Sequence, residues 1–122
     1  MAARDFIDQL RALGHDVRER ATGLVEIPYQ IPVGPRAGEL IQLAFAVPPD
    51  FPLQSPSGPC VSPPLLPLHP DQSVGHPIGG VHPAPHLGDN WQYWSRPFPG
   101  WQQTDRTVRT YMAHIRHLFA TL

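Results

Sequence analysis

The sequence predicts an α+β domain in which an antiparallel sheet carries one helix from each end of the chain. Three observations predict it. Residues 24–33 and 40–47 alternate apolar and polar side chains, the period of a half-buried strand. Residues 5–14 and 104–122 instead repeat apolar side chains at helical spacing. Between Asp50 and Arg96 no helical period occurs, and prolines, which lack an amide donor, exclude a helix there. Strands flanked by helices imply helices covering one sheet face.

In residues 5–14, Phe6, Leu10 and Leu13 share a face with Ile7 beside them, and Arg4, Asp8 and Arg11 take the other. Gly14 is a good stop, because glycine takes the left-handed conformation without a Cβ penalty. In the first strand Val25, Ile27, Tyr29, Ile31 and Val33 share one parity. Pro28 and Pro32 cannot donate to a ladder, so this strand is expected at a sheet edge. Gly34 to Gly38 reads as a turn, and Ile41, Leu43, Phe45 and Val47 then line a second strand. Two such runs joined by a short Gly/Pro segment make a hairpin.

Pro48-Pro49-Asp50-Phe51-Pro52 breaks that strand, and residues 59–68 suit a short third strand interrupted by Pro63, Pro64 and Pro67. The expected sheet is thus a meander of three to four strands. A long loop follows, ending in Trp91, Tyr93, Trp94, Phe98 and Trp101, whose rings are expected to anchor it on the core. Thr104 is the expected cap of the last helix, with Asp105 in its first turn. Its apolar stripe is Val108, Tyr111, Met112, Ile115, Leu118, Phe119 and Leu122, with His114 and His117 at the border.

The totals bound the function. A chain of 122 residues suits one domain, residues 1–122. A net charge of −1 offers no basic face for nucleic acid. No apolar run approaches membrane-spanning length, and the first residues lack the apolar core of a signal peptide. One cysteine, Cys60, excludes an internal disulfide, so the expected location is cytoplasmic. All nine basic residues are arginine. GC-rich coding produces that bias, and it also leaves no side-chain amine for an activated acyl donor to modify.

Several segments, in order, resemble the ubiquitin-conjugating enzyme (E2, UBC) superfamily. Gly38 to Pro48 resembles its second strand, which follows a Gly-rich turn and ends at proline. Asp50-Phe51-Pro52 through Pro59-Cys60-Val61 resembles its tyrosine-proline … proline-proline-x-valine segment. His69-Pro70-Asp71 is similar to its His-Pro-Asn motif, and Gly88-Asp89-Asn90-Trp91 to its tryptophan-bearing segment. Trp94-Ser95-Arg96 with a single helix after it looks like the compact prokaryotic members. The resemblance implies the UBC-like fold and bacterial partners: ubiquitin-like, E1-like and JAB-peptidase proteins.

Two departures qualify the chemistry that the resemblance implies. The family's catalytic cysteine sits in a Gly-x-Ile/Val-Cys context, which here is Gly79-Gly80-Val81-His82. The asparagine that supports the oxyanion is Asp71, whose charge would repel it. His69, Asp71 and His82 are therefore positions of a pseudo-active site. Cys60 is the alternative nucleophile, and a thioester carrier needs it exposed as thiolate. His69, His76, His82 and His86 are a weak alternative metal set, because His82-Pro83-Ala84-Pro85-His86 lacks the helical His-Glu-x-x-His spacing. Neither a metal nor a cofactor is expected.

The remaining expectation is a noncatalytic module similar to the ubiquitin E2 variants. It would bind a ubiquitin-like protein, an E1-like enzyme or an E2 partner. Trp91, Trp94, Arg96 and Trp101 are its candidate binding residues, being of the types enriched in hot spots.

Overall fold

Each apolar stripe and parity named above finds a partner on one side of a single sheet. The computed structural model describes residues 2–66, 81–96 and 98–122. Among the described residues are two α-helices, six strands and one 3-10 turn. Helix α1 (Ala2–Ala12) leads into β1 (Arg18–Ala21), β2 (Leu24–Gln30), β3 (Leu40–Ala46) and β4 (Cys60–Ser62). Strands β5 (Val81–Pro83) and β6 (Gln92–Trp94) follow, then the 3-10 turn Trp101–Gln103 and helix α2 (Val108–Ala120). All pairs are antiparallel, in the order β1-β2-β3-β4-β6-β5. Strands β2, β3 and β4 form the expected meander; β1, β5 and β6 extend it to six. No described helix is long and apolar enough to cross a membrane.

The inner face carries the main core. Val25, Ile27, Tyr29, Ile41, Leu43, Phe45, Val61 and Trp94 meet Phe6, Leu10, Tyr111, Ile115 and Phe119 from the two helices. Ring pairs fix the contact: Phe6–Phe45 at 5.7 Å, Tyr29–Phe119 at 5.6 Å and Trp94–Phe119 at 5.2 Å between centroids. The Gln9 side-chain oxygen accepts a 2.9 Å bond from the Val108 amide, so α1 satisfies a free donor at the start of α2. Leu13, expected on the α1 stripe, is instead exposed, since the helix ends one residue before it.

Two expectations about strands need correction. The proline-bearing strand is not an edge: β2 pairs with β1 on one side and β3 on the other. Pro28 is tolerated for a reason of parity. The Ile31 amide donates to Glu39 at 2.9 Å, so odd residues of β2 bond toward β3 and even ones toward β1. The β1 ladder stops at Arg18↔Glu26, two residues short of Pro28. The absent amide therefore faces open space. Strand β1 adds to the strands the alternation predicts, and β2 stops at Gln30 rather than Val33.

The cap also differs. Thr107, not Thr104, caps α2, with its hydroxyl accepting from the Thr110 amide at 3.3 Å. Thr104 closes the 3-10 turn instead, donating to the Trp101 carbonyl at 2.7 Å. Asp105 lies before the helix and accepts from the hydroxyls of Thr107 and Thr110 at 2.9 and 2.6 Å. Those bonds hold its carboxyl below the usual carboxylate range.

Candidate functional site

The site that the sequence points to is centred on β4, β5 and β6. Strand β4 is short because prolines flank it, and a close approach fixes its entry. A Cβ on Gly58 would lie 1.6 Å from the Trp94 carbonyl oxygen, so only glycine lets the chain pass β6 there. Tyr111 donates to the Ser57 carbonyl at 2.9 Å and Trp101 to the Pro52 carbonyl at 2.9 Å. These bonds hold residues 51–59 on the helix layer.

Register places one row of side chains across the whole outer face: Arg18, Glu26, Ala44, Cys60, Tyr93 and His82, one from each strand. His82 and Cys60 both neighbour Tyr93, so they are separated by two strand spacings, about 10 Å between backbones. The His82 ring is half-buried and lies 6.1 Å from the Tyr93 ring at 31°. Tyr93 thus stands between imidazole and thiol, beyond hydrogen-bond reach of a base for Cys60.

Cys60 is 6% exposed and packs with Ala44, Ala84 and Leu87 in a second, smaller core on the outer face. Burial disfavours the thiolate and pushes its pKa up to about 11. At neutral pH that leaves about one thiolate in ten thousand. The 84–91 connection between β5 and β6 supplies the roof of this core, with Leu24, Trp91 and Tyr93 at its rim.

The candidate binding residues divide by burial. Trp94 is 1%, Arg96 4% and Trp101 4% exposed, so these three belong to the interior rather than to a contact surface. Trp94 donates to Gln92 at 3.2 Å, and Arg96 donates to the Ser95 carbonyl at 3.0 Å. Burial also lowers the Arg96 pKa. The Arg96 carbonyl accepts from His114 Nε2–H at 3.3 Å. Trp91 alone of the four is partly exposed, beneath the Arg20 guanidinium at 5.6 Å.

His69, Asp71 and His76 lie outside the described residues, as do Pro67 and Leu68 of the third expected strand. His82 is on β5 and half-buried, and His86 is exposed in the 84–91 connection. Among the described residues no group of three or more histidine, cysteine or acidic side chains is arranged to hold a metal. Among the described residues, grooves of about 330, 290 and 310 Å³ lie elsewhere. The largest is bordered by Asp16, Arg18, Glu26, Pro28 and Gln42, at the end of the β1 ladder. None of the three is lined by Cys60 or His82.

Sequence reasoning missed Gln92 and Arg20. Gln92 is buried on the inner face, and its side-chain oxygen accepts from the amides of Leu65 and Leu66 at 3.1 and 3.3 Å. Its amide donates to the Leu66 carbonyl. A polar residue that opens a three-residue strand leaves no trace of that role. No protein-family model, curated protein or solved structure matches the chain.

Proposed function

We propose that this chain is a noncatalytic E2-like domain, similar to the ubiquitin E2 variants, in a bacterial ubiquitin-like conjugation pathway. It acts in the cytoplasm by binding a ubiquitin-like protein, or the E1-like or E2 enzyme that handles it. One observation carries the reading: the only thiol of the chain is buried under the 84–91 connection, with its pKa raised and, among the described residues of its sheet face, the nearest imidazole, His82, two strands away. The order helix, four-strand meander, tryptophan-bearing segment, helix supports the same reading, as do the motifs from Gly38 to Trp94.

The alternative, an active conjugating enzyme using Cys60, requires a nucleophile that can ionise and meet another protein. A buried neutral thiol two strands from the nearest described imidazole on its sheet face does not favour it. The test is calorimetric titration of the chain with the ubiquitin-like, E1-like and E2 proteins encoded beside it. Saturable binding to one of them is expected, weakened at least about tenfold by Trp91→Ala, the change at the partly exposed aromatic. Absence of binding to all three would overturn the proposal.

A further inference from the structure

The 84–91 connection crosses the outer face and ends beneath an arginine of the far edge strand. Its described backbone bonds are internal: Leu87 to Ala84 at 3.0 Å, Gly88 to Pro85 at 3.2 Å and Ala84 to Trp91 at 3.3 Å. Among the described residues, the hydrogen bond that ties it to β1–β4 comes from Arg20. That side chain makes three contacts at once. It pairs with Glu26 at 3.3 Å, donates to the Leu87 carbonyl at 3.3 Å and covers the Trp91 ring at 5.6 Å.

What the connection buries is small: Leu87 and Ala84 pressed on Ala44 and Cys60. The inner core, by contrast, holds fully buried large side chains from both helices and from β2, β3, β4 and β6, among them Phe6, Phe45, Tyr111 and Trp94. Apolar attachment scales with the area removed from water, so the outer roof is the weaker of the two. Segments with few apolar contacts and few backbone bonds to their neighbours open well below the global unfolding free energy.

We propose that residues 84–91 form a strap that opens as a unit about its β5 and β6 ends, with Arg20 as its latch, and that this opening controls solvent access to Cys60. The claim is independent of the function proposed above. Opening leaves β5 and β6 paired, so His82 stays one strand beyond Tyr93 and does not reach the thiol. Small electrophiles in solution gain access to the sulfur; the site gains no catalytic partner.

Alkylation of the native protein by iodoacetamide reads the opening directly. The Cys60 thiolate displaces iodide and forms a thioether, and its proton goes to buffer. Well below the unfolding transition, the labelling rate is expected to be nearly independent of denaturant, as local opening requires. Arg20→Ala is expected to speed labelling about tenfold at an almost unchanged melting temperature, having lost an ion pair and a cation–π contact. Trp91→Ala should also accelerate it. Arg18→Ala, on the same strand but without a hydrogen bond to the strap, should not. Two results would overturn the proposal. One is labelling that tracks global unfolding at every denaturant concentration. The other is acceleration in Arg20→Ala and Trp91→Ala only in step with their lost stability.

Discussion

At the scale of single residues, burial governs ionisation more than charged neighbours do. Cys60 is kept neutral by desolvation, and His114 is its counterpart on the other side of the sheet. The His114 ring lies 4.6 Å from Phe98 and 6.1 Å from Tyr111. Burial lowers its pKa below 6.5, the Arg96 carbonyl bond opposes that, and nearby His117 adds to the lowering. The sign follows from proton counting. Well above pH 6.5 the ring is neutral in both states and contributes nothing to the pH dependence. As pH falls below that value the unfolded chain takes up the proton first, so stability falls until the folded-state pKa is passed. His15, also lowered by burial, acts in the same direction. Denaturation midpoints should therefore drop as pH falls through and below 6.5, and His114→Gln should flatten part of that drop. An unchanged slope in the variant would remove His114 from the account. Thr107→Ala should cost about 1 kcal/mol, because the hydroxyl that caps α2 is lost.

At the scale of elements, the joint between β4 and β6 leaves no room for a side chain at residue 58. Gly58→Ala drives a methyl into the Trp94 carbonyl, so it should cost about 3 kcal/mol or more, measured by chemical denaturation. Trp94→Ala, at the same joint, should cost about 3–5 kcal/mol through the cavity it leaves. The elements legible in the sequence were those with one buried face. Val25, Ile27 and Tyr29, and the α2 stripe from Val108 to Phe119, repeat because alternate or helically spaced positions meet the core. Strand β1 left no such mark. Arg18-Glu19-Arg20-Ala21 is exposed at all four positions, and its only signal was Thr22-Gly23, a two-residue hairpin turn with Gly23 at φ 76°. Strands β5 and β6 have three residues each, too few for a period to show. Pro28 was read as an edge marker because composition does not reveal which side of a strand an amide faces.

At the scale of the whole molecule, the sheet separates two environments. The inner face holds the helices and most of the apolar volume; the outer face holds the Cys60 core, the His82–Tyr93 pair and the Arg20 latch. The site was partly legible. The sequence marked Cys60 and His82 as the residues to watch, and it offered Trp94 and Trp101 both as anchors and as binding residues; their burial leaves the anchoring role. It did not reveal that Arg96 is interior, since burial depends on neighbours distant in the chain. The proposed function rests on the thiol being unable to serve as an acyl carrier within this layout. The most direct test charges a cognate E1-like enzyme with its ubiquitin-like protein, adds this chain, and separates the products on a nonreducing gel. The account predicts no reductant-sensitive adduct on this chain, with wild type and Cys60→Ser indistinguishable. A reductant-sensitive adduct that disappears in Cys60→Ser would contradict it and make the chain an enzyme.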